Sequence, residues 1–143
     1  MDRAVSRVIL VAVALICVCD AFLQAQSLEV WVGSRKQEVD GETRSGSTYY
    51  DLAGLVRILQ LDLDQGDRRV LITGPRGRLE LTPSRPLVKA GRQYILLSSG
   101  VWLRDGDDWW VPADFIDRAL PAVLDQEIVR VSDRAIRLQG LKE

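Results

Sequence analysis

The chain has 143 residues, of which 47% are hydrophobic, and its 19 basic and 20 acidic side chains leave a net charge of -1. This composition predicts one globular domain without the basic excess that nucleic-acid and anionic-lipid binders usually carry, so nucleic acid is not an expected partner. The chain contains no histidine, which excludes Ser-His-Asp and Cys-His catalysis and His-ligated zinc.

The first 25 residues have the pattern of a secretory signal peptide. Two arginines precede an apolar run from Val8 to Cys19, and a more polar stretch ends near Ala25. The apolar run is shorter than the ~20 residues that a membrane-spanning helix needs. Cleavage is expected after Ala25, with Ala21 as the second choice, and an uncleaved signal would be the only membrane contact. Cys17 and Cys19 are interpreted as small apolar side chains of this run.

The rest of the chain contains an internal repeat. Gly46–Val56 aligns residue for residue with Gly106–Ile116, because each segment has a glycine turn, an aromatic pair, an alanine and two bulky apolar residues. Apolar residues at helical spacing predict one short helix in each copy, and Pro121 ends the second helix. The predicted helices contain Leu52, Leu55, Val56 and Leu59 in the first copy and Phe115, Ile116, Ala119 and Leu120 in the second.

Alternating apolar residues predict the strands. A hairpin follows each helix, and four further strands lead into the two copies. The hairpins are Val70–Thr73 with Arg78–Leu81 and Ile128–Val131 with Ala135–Leu138, and the leading strands are Leu28–Val32, Leu87–Lys89, Tyr94–Leu97 and Val101–Arg104. The expected fold is α+β, with two strand-helix-hairpin units at about residues 27–84 and 85–140 packed around one core. That core is expected to contain Leu55, Val56, Leu59, Val70, Ile72, Phe115, Ile116, Leu120, Val129 and Val131.

The second copy resembles a known family. In Asp105–Ile116 an Asp-Gly turn, an aromatic pair and Val111-Pro112 precede a short helix, and the strand Ile128–Val131 follows an acidic turn. This pattern is similar to the copper amine oxidase-like N-terminal domain, also called the stalk domain, and the first unit looks like a weaker copy without the Val-Pro. The resemblance covers residues 26–140. It implies a non-catalytic module of secreted and envelope proteins, often placed ahead of a peptidoglycan hydrolase.

The same resemblance suggests the cellular context. Copper amine oxidases bind copper through histidines in a separate domain, so neither copper nor another cofactor or metal is expected here. Residues 141–143 look like the start of a linker, after which an N-acetylmuramoyl-L-alanine amidase domain would follow in a longer parent protein. The expected location is secreted or periplasmic, in a bacterial cell envelope, and the expected partners are peptidoglycan or envelope proteins.

Aromatic side chains are the candidate binding residues. Neighbouring residues of a strand face opposite sides, so each aromatic pair should place one member in the core. The family motif assigns Tyr50 and Trp110 to the core, which leaves Tyr49 and Trp109 outside to stack on sugar rings. Trp102 is the third candidate. Alternatively, these rings serve only cross-strand packing.

Two functions remain open at this point. The first is a non-catalytic envelope module that acts as a spacer or binds proteins or cell-wall glycan. The alternative is a glycan-processing or metal-dependent hydrolase in its own right, whose carboxylates would come from the acidic stretches 62–67 and 105–108. Because these stretches also have the composition of solvated turns and the chain has no histidine, the sequence favours the module and no catalytic residue is assigned.

Overall fold

The structure, a computed structural model, describes residues 26–140. Strands account for 54% of it and helices for 13%, arranged as three sheets with two short α-helices. The predicted α+β class with two strand-helix-hairpin units is therefore wrong, since the fold is mostly β. The predicted signal peptide at 1–25, with both cysteines, and the linker start at 141–143 lie outside the described residues.

The strands are numbered in chain order. They are β1 Leu28–Val32, β2 Arg35–Val39, β3 Gly41–Arg44, β4 Ser47–Asp51, β5 Asp62–Gln65, β6 Val70–Gly74, β7 Gly77–Leu81, β8 Leu87–Ala90, β9 Gln93–Leu96, β10 Trp102–Arg104, β11 Asp108–Pro112, β12 Gln126–Ser132 and β13 Ala135–Gly140. Helix α1 spans Leu52–Ile58, α2 spans Asp114–Arg118, and a 3-10 turn spans Leu120–Ala122. No helix in residues 26–140 has the length and apolar character needed to cross a membrane.

The three sheets mix strands from the two halves of the chain. Sheet I has the order β12-β13-β1-β2, sheet II the order β10-β11-β4-β3, and sheet III the order β5-β6-β7-β8-β9. In sheet I, β1 runs parallel to β13, and in sheet II β4 pairs antiparallel with β11. The strands that precede the two helices are thus neighbours in one sheet. This exchange of strands between halves is why two separate units do not form.

The core lies between the sheets and both helices. Eight of the ten predicted core residues are buried, namely Leu55, Val56, Leu59, Val70, Ile72, Phe115, Ile116 and Leu120. The prediction is wrong for β12, where Val131 is 54% exposed, Val129 is only partly buried and Ile128 packs against the core instead. The register explains the difference, because Ile128 lies opposite the buried Leu138 of β13, whereas Val129 lies opposite the exposed Arg137 and so belongs to the outer face.

Candidate functional site

Sheet II determines which aromatic side chains can reach a ligand. Tyr50 and Trp109 belong to the core, each 3% exposed. Trp110 is also buried, but its cross-strand partner in the register is Trp102, on the other side of the sheet from the core. Tyr49 lies on that same side and is 7% exposed. The predicted exposure of Tyr49 and Trp109 is therefore wrong.

The register explains the error. Across β4 and β11, Tyr50 lies opposite Val111, and both belong to the core, so Tyr49 and Trp110 share the other face. The side chains of Tyr49 and Trp110 therefore point to the same face, although the repeat in the sequence aligns Tyr49 with Trp109. Since a shift of one residue in a strand exchanges the two faces, that match placed Trp109 on the wrong side.

Three rings form an aromatic cluster, which consists of Tyr49, Trp102 and Trp110. The Tyr49 and Trp102 ring centroids lie 5.8 Å apart at 74°, an edge-to-face arrangement, and those of Trp102 and Trp110 lie 5.9 Å apart. Such pairs contribute about 0.5–1.5 kcal/mol beyond their area burial. The cluster ties three strands of sheet II together on the face away from the core.

Two arginines cover the cluster, of which one is paired with carboxylates and the other is not. The Arg104 guanidinium lies 5.4 Å from the Trp110 ring centroid and forms a 2.7 Å ion pair with Glu42. Because Glu42 and Arg104 belong to opposite edge strands, this contact shows that sheet II curls around the cluster. The Arg44 guanidinium lies 4.3 Å from the Trp102 ring centroid and has no ion-pair partner within residues 26–140. Its N–H groups are therefore available to a ligand.

Burial affects two polar groups next to the cluster. The Trp110 indole nitrogen is buried and has no hydrogen-bond acceptor in the described part of the chain. Burial raises the pKa of Asp51, the residue before α1, and the neighbouring Asp108 carboxylate raises it further, against the lowering effect of the Gly54 and Ala53 N–H groups.

A groove of about 530 Å³ opens beside the cluster. Its lining consists of Arg44, Ser45, Tyr49, Pro83, Ser84, Gly100, Val101, Trp102 and Leu103. The Tyr49 hydroxyl lies 3.1 Å from Ser99 Oγ and 3.3 Å from the Gly100 carbonyl oxygen, and this contact holds the loop before β10 against the sheet. Of the three predicted binding residues, Tyr49 and Trp102 line the groove, whereas Trp109 does not.

The floor of the groove requires a glycine. A Cβ atom at Gly100 would lie 2.6 Å from the Ser84 carbonyl oxygen, closer than side-chain carbons approach backbone oxygens. Ser84 itself has a φ of 65°, a left-handed conformation that is uncommon for serine. The close approach holds Ser84 against the loop that leads into β10, where the Ser84 backbone N–H also donates a 2.7 Å hydrogen bond to the Val101 carbonyl oxygen.

The second acidic stretch, 105–108, lies at the turn that leads into β11, whereas most of the first forms strand β5, so the interpretation of 62–67 as a turn is wrong; neither stretch lines the groove. Asp105 and Gly106 have φ values of 49° and 86°, as a tight turn between β10 and β11 requires. Within residues 26–140, no three or more of the acidic side chains come close enough together to hold a metal ion. Comparisons with protein-family models, curated proteins and solved structures found no match to this chain.

Proposed function

We propose that this chain is a non-catalytic module of the bacterial cell envelope, secreted or periplasmic, that binds cell-wall glycan in the groove beside Trp102. The observation that carries the proposal is one groove that combines a partly exposed indole ring with the Arg44 guanidinium, which has no ion-pair partner among residues 26–140. The sequence pattern of an export signal and the resemblance to stalk domains support the envelope context.

The chemistry of the groove suits a sugar. A pyranose ring presents an apolar C–H face, which packs on an aromatic ring, and a rim of hydroxyl groups, which need donors and acceptors. Trp102 provides the aromatic surface, and Arg44 with the Ser45 and Ser84 hydroxyls provides the polar contacts. The Arg44 guanidinium covers the indole, so a stacked sugar displaces it to the ring edge, where the N–H groups face the sugar oxygens.

The lining also explains why binding rather than cleavage is proposed. Glycoside hydrolysis commonly uses two carboxyl groups placed on either side of the scissile bond. Among the described residues, those that line the groove include no aspartate or glutamate. The chain also has no histidine to activate a serine such as Ser84. The groove therefore offers contacts to a glycan but no general acid or base.

Co-sedimentation with purified peptidoglycan tests the proposal. The Trp102→Ala variant is expected to lose most of the bound fraction, because the stacking surface is removed. Tyr94→Ala is the matched control, since Tyr94 is an aromatic residue of β9 that is 65% exposed and does not line the groove. The Arg44→Ala variant, which leaves the aromatic cluster intact, should also bind more weakly. Equal sedimentation of the wild type and both groove variants would contradict the proposal.

A further inference from the structure

A second cavity lies between sheets I and II and shares no residue with the groove. Its volume is about 360 Å³, near the lower end of the range for small-molecule sites. It is lined by Gln26, Thr43, Thr48, Tyr50, Ala113, Asp133 and Arg134. The threonines and Tyr50 come from β3 and β4, whereas Asp133 and Arg134 form the turn between β12 and β13.

Tyr50 is the buried polar residue of this cavity. Only 3% of the residue is exposed, and its phenolic oxygen forms no hydrogen bond with any residue that the structure describes. Within residues 26–140 the Trp110 indole nitrogen is the side-chain polar atom that is fully buried without a partner, so the Tyr50 oxygen is not sealed off and can donate a hydrogen bond to a group in the cavity. Burial raises the pKa of Tyr50, which keeps the phenol protonated at neutral pH even though Arg130 and Arg134 lower that pKa. Tyr50 is therefore a hydrogen-bond donor.

The charged residues of the cavity lie on a turn that other contacts hold in place. Arg130 forms a 2.7 Å ion pair with Asp117, and its guanidinium lies 3.3 Å from the Asp133 carbonyl oxygen. Arg134 and Asp133, in contrast, take part in no ion pair within the described range 26–140. The turn thus presents one cation and one anion, both without a strong partner, on a fixed backbone.

The other residues that line the cavity supply further hydrogen-bond donors. Gln26 accepts a hydrogen bond from the Thr43 backbone N–H at 3.1 Å through its side-chain oxygen, which leaves its NH2 group free to point toward a ligand. Donors therefore outnumber acceptors, with Asp133 as the one carboxylate of the lining. A site with this balance favours an anion that accepts several hydrogen bonds.

We propose that this cavity binds the carboxylate of an amino acid or of a short peptide's carboxyl end. The carboxylate accepts hydrogen bonds from the Tyr50 hydroxyl and the Arg134 guanidinium, while an amino or amide N–H of the ligand donates to Asp133. The proposal is independent of glycan binding, since the two sites have no residue in common.

Titration of the 15N-labelled protein with small ligands tests this site. Alanine and alanylalanine are compared with alanylalanine amide, which lacks only the carboxylate. The acids are expected to shift the backbone amide signals of Thr43, Thr48 and Arg134, and the amide to bind about tenfold more weakly, as the loss of a charged hydrogen bond predicts. Tighter binding of the dipeptide than of alanine would identify a peptide end as the ligand, and the reverse order a free amino acid.

Two variants separate the site from nonspecific effects. Tyr50→Phe keeps the ring in the core and removes only the oxygen, so the dissociation constant for the acid is expected to rise about tenfold. Arg92→Ala removes an exposed arginine from a different hairpin and should leave binding unchanged. Equal binding of acid and amide to the wild type, no shifted signals around the cavity, or unchanged binding by Tyr50→Phe would each overturn the proposal.

Discussion

Replacement of Trp109 by alanine tests which face of sheet II belongs to the core. Trp109 lies in β11, is 3% exposed and packs within the hydrophobic core. Removal of a buried Trp side chain costs about 3–5 kcal/mol in free energy of unfolding. Unfolding entropy averages about 2.1 cal/mol/K per residue, which is about 0.24 kcal/mol/K for a domain of about 115 residues. The melting temperature should therefore fall by about 15 °C.

The assay is thermal unfolding followed by circular dichroism, with Trp102→Ala as the matched control from the same sheet. Trp102 is only partly buried and lies on the opposite face, so its removal should lower the melting temperature by less than half as much. If the Trp109 variant melts within a few degrees of the wild type, or above the Trp102 variant, the assignment of faces described above is wrong.

Three further substitutions test other parts of the structure, each measured by thermal unfolding. Gly100→Ala should lower the melting temperature by about 8 °C, because the added Cβ clashes with the Ser84 carbonyl oxygen. Gly140→Ala, where nothing lies within 4 Å of the added Cβ, should leave the melting temperature unchanged, and equal effects of the two variants would contradict the close approach at Gly100. The pKa of Asp51 is raised in the folded protein, so the wild type loses stability as the pH rises from the ordinary value of 3.8 through the folded-state pKa. Asp51→Asn, which cannot ionise, should therefore become more stable relative to the wild type between pH 3 and pH 7. A relative loss of stability over that range would contradict the raised pKa. Val131→Thr should be nearly neutral and Val70→Thr clearly destabilising, since only Val70 is buried; similar losses would place Val131 in the core.

Local patterns in the sequence predict both helices and two of the hairpins, β6–β7 and β12–β13. The spacing of Leu52, Leu55 and Val56 indicates α1, and the apolar alternation in 70–81 indicates the β6–β7 hairpin, because both patterns arise within a few residues. Strands β2, β3 and β5 were missed, since their sequences RKQEV, GETR and DLDQ are mostly polar.

The sheet topology could not be obtained in the same way. The parallel pairing of β1 with β13 joins the two ends of the described chain, and no short-range pattern encodes it. The fold class was wrong for this reason: the helices exist, but three sheets formed from both halves dominate.

The candidate site was predicted in part. Trp102 and Tyr49 line the groove, but Arg44 was missed, because its position over Trp102 depends on the curl of sheet II. Tyr50 was correctly placed in the core, yet its hydroxyl lines a cavity that only the packing of sheet I against sheet II creates.

The indole N–H signals of the four tryptophans report whether glycan binds beside Trp102. The 15N-labelled protein is titrated with soluble disaccharide fragments of peptidoglycan, and the signals are assigned from single Trp→Phe variants. We expect the Trp102 signal to shift until the protein is saturated with ligand, whereas the signals of Trp31, on β1, and of Trp109, in the core, stay in place. No shift of the Trp102 signal, or a shift confined to Trp31, would contradict it.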